Sequence, residues 1–302
     1  MSAASPTQER PQTLPLVLAF LAVYVIWGST YLAIRVAVAT VPPFSAAGVR
    51  FLLAGGMLLT YCLARRISLP TARQWRNLTI SAAILFVPSY GGLFWAEKSV
   101  PSGIASALVA TIPLWIAVIE VFILKHSRLR WQLVVSVAAG ITGVCILTLR
   151  GIGGATQSTA PYLVLLVSQI TWSIGTLLTK NMDLPSSKPL IAGAQMGLGG
   201  VMLSLISIGL GELSPFPHVS TQAAVAILYL TVFGSVVAFT AYLYLLHHLP
   251  ATTVSSYAYV NPVVALGLGH WLGHEILDLR VFVGTFLVII GVVLTLRGNR
   301  AH

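Results

Sequence analysis

Arg50 is a charged residue inside an apolar stretch and a candidate for a binding role. Burying such a group in hydrocarbon costs at least about 2.5 kcal/mol on insertion scales, so an ionisable residue there indicates a functional site by default. Its guanidinium can bind a ligand carboxylate, or it can form an ion pair with Glu97. An internal alignment with an offset of 145 positions places Gln195 at the equivalent of Arg50. That difference predicts one site to which two copies contribute unequally.

Aromatic side chains form a second group of candidates. Trp27 and Trp172 fall near the middle of their apolar stretches, away from the interfaces where membrane tryptophans concentrate. An indole at that depth offers a face for stacking or cation binding, and its N–H needs an acceptor. Buried packing explains the same positions equally well. The other aromatic candidates for the lining of a cavity are Tyr31, Tyr90, Trp95, Tyr242, Tyr257 and Tyr259.

Two prolines predict interrupted helices. Pro113 and Pro262 each lack the N–H that a helix needs four residues after a carbonyl, so both helices should kink in mid-membrane. Interrupted helices at matching places in two repeats point to the central site of a transporter, although kinks also occur for packing alone. Asn261 precedes the second proline and extends a polar stripe that must face other helices or water: Thr252, Ser255, Ser256.

The elements that carry these residues are predicted to be transmembrane helices. The chain has 57% apolar and 8% charged residues, too few charges for a water-compatible surface. Strand-like alternation is absent. An all-α polytopic membrane protein is expected, with ten apolar stretches near the length of about 20 residues that a crossing needs: 14–35, 44–64, 78–96, 102–124, 131–149, 161–180, 190–210, 223–246, 251–271 and 281–296.

The chain repeats itself. The offset of 145 also aligns Gly48 with Gly193 and Gly55 with Gly200, and both copies end on Leu-Thr-Leu-Arg-Gly, at 147–151 and 294–298. Five spans in each copy is an odd number, so the second copy should be inverted in the membrane around a central cavity. The predicted organisation is a polar tail at 1–13, a first repeat at 14–150, a linker at 151–160, a second repeat at 161–298 and a tail at 299–302.

The basic residues predict the orientation. With both termini cytoplasmic, twelve of the 17 Lys and Arg residues lie on the cytoplasmic side, in agreement with the positive-inside rule. The formal charge of +10 therefore reflects topology and does not indicate nucleic-acid binding. No phosphate-binding loop is present, so no ATPase subunit is implied. His270, His274 and Glu275 have a spacing that can bind a metal, but neither a metal nor another cofactor is expected from so few ligands.

Four motifs carry a family resemblance: Ile-Trp-Gly-Ser-Thr-Tyr at 26–31, Gly-Val-Arg-Phe at 48–51, Val-Pro-Ser-Gly at 100–103 and Tyr-Val-Asn-Pro-Val at 259–263. Together with the ten spans they resemble the EamA-type drug/metabolite transporters, over almost the whole chain. The resemblance implies five plus five inverted helices in a bacterial inner membrane and export of amino acids, related metabolites or drugs. One step departs from it, since Gly273-His274-Glu275 in the second copy stands against Leu124-Lys125-His126 in the first.

These observations predict a secondary transporter or facilitator that exports a small amphipathic metabolite by alternating access. Its partners would be the small-molecule substrate and the lipid bilayer, with the protein a monomer or homodimer. Proton coupling and uniport both remain open. The alternative is a membrane-embedded enzyme or a flippase acting on a lipid-linked substrate, which would need acids or histidines clustered near one face. The chain has only seven acids, and they are scattered.

Overall fold

The computed structural model describes residues 13–125, 131–148, 158–215 and 217–299, and these form helices without a strand among them. The predicted tails and linker lie almost wholly outside the described residues. The helices are α1 (Thr13–Val38), α2 (Pro43–Ala64), α3 (Ala72–Ala96), α4 (Ser102–Phe122), α5 (Trp131–Thr148), α6 (Ala160–Asn181), α7 (Lys188–Gly209), α8 (Thr221–His248), α9 (Ala251–Val254 and Tyr257–Trp271) and α10 (Leu279–Asn299).

Every predicted apolar stretch coincides with one of these helices to within a few residues. The largest shift is at α3, which begins at Ala72 and not at 78. A capping box starts it there: the Gln74 N–H donates to Thr71 Oγ1 at 3.3 Å, and the Thr71 N–H donates to Gln74 Oε1 at 3.1 Å. The apolar pattern alone does not predict this first turn, because its residues are mostly polar.

Seven of the described helices, α1 to α4 and α6 to α8, are long and apolar enough to cross a membrane, and α5 and α10 include shorter apolar helices. Large apolar side chains cover the outside of the bundle, as shown by Leu14 at 67% and Trp271 at 76% exposure. Polar residues such as Arg50 and Gln195 are buried instead. An apolar exterior around a polar interior suits a lipid environment.

Helix contacts follow a pattern that relates the two halves of the chain. α2 packs along α7 and α5 along α10, while α1 contacts α8 and α9 much as α6 contacts α3 and α4. Close approach depends on glycine: a Cβ on Gly48 would meet Ser204, and a Cβ on Gly193 would meet Leu59. These two contacts are equivalent in the repeat: at the offset of 145, Gly193 corresponds to Gly48 and Ser204 corresponds to Leu59.

The two prolines have different effects on their helices. α4 is interrupted at Ala110 and Thr111, directly before Pro113, as expected. α9 is interrupted earlier than expected, between Val254 and Tyr257, and its long segment continues through Pro262. Pro262 leaves the carbonyl oxygen of Ala258 without its helical partner, and neighbouring groups can make such a proline tolerable inside a membrane helix. Beside it, the Asn261 amide, oriented with its nitrogen toward acceptors, donates to the carbonyl oxygen of Tyr257 at 3.2 Å.

Candidate central binding site

Two π-helical segments shape the centre of the bundle. In α3 the segment is Leu85–Gly91 and in α8 it is Leu230–Val237, which the offset of 145 places at equivalent positions. Pro88 lies within the first, but the second contains no proline. Such wide turns are rare and frequently occur at functional sites. The segment in α8 presents the backbone oxygen of Gly234 to Trp27 of α1 and the hydroxyl oxygen of Ser235 to Arg50 of α2.

A cavity of about 50 Å³ lies between α1, α2, α3, α4, α6 and α9. That volume holds a few water molecules, whereas pockets for small-molecule ligands usually measure about 300–1,000 Å³. The cavity is therefore smaller than a site that holds a bound metabolite. The lining residues are Trp27, Thr30, Tyr31, Ile34, Arg50, Ser89, Tyr90, Leu93, Val109, Ile112, Gln169, Trp172 and Tyr257.

The two predicted tryptophans meet in this cavity. Their rings pack edge to face, with centroids 5.7 Å apart, although the residues come from α1 and α6. Trp27 Nε1 donates to the carbonyl oxygen of Gly234 at 3.0 Å, and Trp172 Nε1 donates to the hydroxyl of Tyr257 at 3.0 Å. Both indoles thus have the acceptors they need. Because one acceptor is backbone and the other a side chain, the two equivalent tryptophans have different surroundings.

Arg50 is 1% exposed and lines the same cavity. Its Nε donates to Ser235 Oγ at 2.8 Å, but its Nη1 has no hydrogen-bond partner. Aromatic rings partly compensate for the buried charge, because the guanidinium carbon lies 4.7 Å from the ring centroid of Phe51, 5.3 Å from that of Tyr90 and 5.8 Å from that of Phe94. Each such contact contributes about 0.5–2 kcal/mol. Within the described residues no carboxylate lies within 4.0 Å of Arg50.

Glu97, the other expected partner of Arg50, belongs to a polar cluster at the end of α3. It is 1% exposed, and neither carboxylate oxygen has a hydrogen-bond donor. Burial and the nearby carboxylate of Glu275 hold the pKa of Glu97 well above its usual range, against the opposing effects of Arg35 and, more weakly, of Arg50. Glu275 itself accepts from the backbone N–H groups of Ser102 and Gly103 at 2.8 and 3.1 Å, and lies 3.4 Å from Arg35.

Gln195 and Asn261 hold helices together away from the cavity lining. The Gln195 amide nitrogen donates to Ser81 Oγ at 2.8 Å and Thr179 Oγ1 at 3.0 Å, which joins α7 to α3 and α6. Asn261 donates to the carbonyl oxygen of Tyr24 at 3.0 Å, which joins α9 to α1. Gln195 is therefore equivalent to Arg50 in sequence but has different partners: its amide nitrogen has two acceptors, while its amide oxygen, like Arg50 Nη1, has no partner.

The remaining candidates occupy different places. Tyr242 packs against both tryptophans, with ring centroids 5.1 and 5.6 Å away, and its hydroxyl is 2.6 Å from that of Thr176. Pro113 is buried in α4 but does not line the cavity. Trp95 is 38% exposed on α3. Pro262 lies within α9, and the side chain of Tyr259 is outside the described residues.

Several lining residues were not predicted from the sequence. Thr30, Ser89 and Gln169 face the cavity together with the candidates. Gln169 had a readable signal, since it lies three residues before Trp172 and hence on the same helix face. Ser89 is placed by the π-helical segment of α3, where its hydroxyl donates to the carbonyl oxygen of Ser168 at 2.9 Å. If that segment is assumed to be a regular α-helix, the direction of the Ser89 side chain toward the cavity is not predicted.

Comparison with known proteins agrees with this architecture. The model of the EamA-like transporter family matches residues 14–149 and again 159–297. YedA of Escherichia coli strain K12, described as an uncharacterized inner membrane transporter, is 38% identical over 294 residues, which cover 95% of this chain and 92% of YedA. YvbV of Bacillus subtilis strain 168, an uncharacterized transporter, is 25% identical over 287 residues, which cover 95% of this chain and 92% of YvbV.

A solved structure with 20% sequence identity shares the fold, with a TM-score of 0.68 over 96% of this chain and 99% of that chain. The apolar helices and the inner-membrane relatives together support a multi-pass membrane protein. Two matches of one family model, one in each half, account for the repeat seen in the sequence. The chain therefore belongs to the EamA-like transporter family.

Proposed function

We propose that this protein is a secondary transporter or facilitator that exports small amphipathic metabolites, amino acids and their aromatic members included, across a bacterial inner membrane. The observation that carries this proposal is the small central cavity. Helices of both halves line it, and it combines aromatic faces from Trp27, Trp172 and Tyr257 with the buried charge of Arg50. An amphipathic solute needs both kinds of surface.

The proposed mechanism is alternating access. A cavity of about 50 Å³ cannot hold an amino acid, so a substrate binds only when the halves separate on one side of the membrane. The helix pairs α2–α7 and α5–α10 join the two halves. We expect these to act as the contacts about which α1, α3 and α4 move relative to α6, α8 and α9. The interrupted α4 and α9, at related positions, supply the flexible points that such transporters use.

The proposed topology has ten spans in two inverted repeats, with both termini cytoplasmic. Support comes from the related contact pattern of the two halves and from the distribution of basic residues. Reporter fusions placed after the fifth helix and after the tenth helix are a test of this topology. Inversion requires the fusion after the tenth helix to report the cytoplasm and the fusion after the fifth helix to report the opposite side. Two reporters on the same side contradict it.

Purified protein and proteoliposomes test the function. A panel of labelled amino acids, aromatic metabolites and amphipathic drugs is first screened by melting temperature, since a ligand at a hundred times its Kd stabilises the folded state by about 2.7 kcal/mol. Stabilising solutes are then assayed for counterflow. We expect flux above that of empty liposomes, and Trp172→Ala to reduce it. Flux equal to empty liposomes for every stabilising solute contradicts the transporter proposal.

A further inference from the structure

The guanidinium of Arg50 has hydrogen-bonding capacity that this structure does not use. Of its N–H groups, Nε is bonded to Ser235, and Nη1 has no acceptor although it is fully buried. A guanidinium presents donors in a planar fork that matches the two oxygens of a carboxylate. A buried cation that has, among the described residues, no carboxylate within 4.0 Å and one N–H group without an acceptor is costly. Such an arrangement suits a group that binds an anionic ligand.

The packing around Arg50 leaves room for the guanidinium and holds it in place. Aromatic rings from α2 and α3 lie against it, and they favour the cation without accepting its N–H bonds in the plane of the group. On α8, a glycine at 234 supplies the space: a Cβ there would lie 3.0 Å from Arg50 Nη2. The side chain is thus confined beside the cavity that it lines.

The charges of the lining residues determine which charge on a ligand the cavity accepts. No carboxylate is among the lining residues in the described part of the chain, and Glu97 lies outside that set. The hydroxyl of Tyr257 accepts the Trp172 N–H, so its own proton remains to be donated. Arg50 therefore gives the cavity a net positive charge. A solute bearing only an amine would place two like charges in one desolvated space.

We propose that the cavity selects carboxylates with a flat apolar body, that Arg50 binds the carboxylate, and that an amino group on the substrate is dispensable. This inference rests on the proposed transport function and narrows its substrate class. The carboxylate would pair with the free side of the guanidinium. The apolar body of the substrate would lie against the rings of Trp27, Trp172 and Tyr257, which pack around the same space.

Three compounds with the same phenyl ring test the inference: 3-phenylpropionate, phenylalanine and phenethylamine. Affinity is obtained from the melting temperature of the purified protein as a function of ligand concentration. We expect both carboxylates to bind and phenethylamine not to. Arg50→Gln should weaken 3-phenylpropionate binding by about tenfold or more, since a charge-assisted hydrogen bond is lost. Arg50→Lys keeps the charge but loses the planar fork, so its affinity for 3-phenylpropionate should lie between those of the wild type and Arg50→Gln.

Lys98→Gln is the matched control, because it removes one positive charge at an exposed position. It should leave all three affinities unchanged. If Arg50→Gln does not fold, Ser235→Ala, which removes the acceptor of Nε, and Gly234→Ala, which crowds Nη2, take its place. Both are expected to weaken carboxylate binding and to leave the exclusion of phenethylamine intact.

The inference is overturned if phenethylamine binds as tightly as 3-phenylpropionate, if neither carboxylate binds at millimolar concentration, or if Arg50→Gln keeps its affinity for 3-phenylpropionate. Its failure is distinguishable from failure of the transporter proposal. Counterflow of neutral or cationic solutes without carboxylate binding refutes only the substrate class. Arg50-dependent carboxylate binding without counterflow of any solute refutes only transport.

Discussion

Glu275 is expected to stabilise the protein by capping a helix that belongs to the other half of the chain. Its carboxylate accepts two backbone N–H groups at the start of α4, from Ser102 and Gly103. Hydrogen bonds to a charged group contribute about 1.5–3 kcal/mol each, and a charge at a helix N-terminus adds about 0.3–1 kcal/mol. The ion pair with Arg35 adds little, because that arginine is 37% exposed.

Glu275→Ala is therefore expected to lower the free energy of unfolding by about 4 kcal/mol, and Glu275→Gln by about 2 kcal/mol, since the amide keeps one acceptor oxygen. The assay is equilibrium unfolding in mixed micelles, followed by tryptophan fluorescence. Asp183→Asn is the control, because its pair with Arg73 is exposed at 3.8 Å and contributes at most about 1 kcal/mol. A loss below about 1 kcal/mol in Glu275→Ala refutes the capping role.

Three further outcomes follow from other contacts. Gly55→Val should disrupt the α2–α7 contact and reduce the yield of folded protein, because a Cβ at 55 would lie 2.5 Å from the Gly197 nitrogen; Gly56→Ala, with open space at that position, should be neutral in the same assay. Trp172→Phe should cost about 1 kcal/mol beyond the lost packing, measured as the same unfolding free energy, because a neutral buried hydrogen bond disappears. The raised pKa of Glu97 means that the folded state retains a proton that the unfolded state releases, so stability should fall as pH rises above the ordinary carboxyl range. Melting temperatures between pH 5 and 8 should decline in the wild type and less in Glu97→Gln; equal declines contradict this assignment.

Helix positions were readable from the sequence because they depend on local composition. Apolar stretches near bilayer length lie within a few residues of the helices observed, and the internal similarity of the sequence is sufficient to relate the two halves. Trp27, Arg50 and Trp172 were identified for the same reason, since a large polar or charged group in an apolar stretch is visible one residue at a time. The family resemblance is confirmed by the family model and by YedA.

Contacts between distant residues were not readable in this way. Arg50 and Gln195 occupy equivalent positions, yet the packing of α3 and α6 gives the Gln195 amide nitrogen two acceptors, while the packing of α8 gives Arg50 Nε one and leaves Nη1 without any. The interruption of α9 before Pro262 and the π-helical turns around Ser89 and Ser235 were likewise not predicted from the sequence pattern.

The sequence by itself determined that the chain is helical, apolar on its outside and built from two related halves, because these properties follow from residue type and spacing along the chain. The tertiary structure decided which polar groups find partners. Glu275 caps α4 from more than 170 positions away, and Trp27 reaches the carbonyl oxygen of Gly234 in the other half. In a medium without water, such pairings depend on how helices cross, and helix crossing is a property of the assembled bundle.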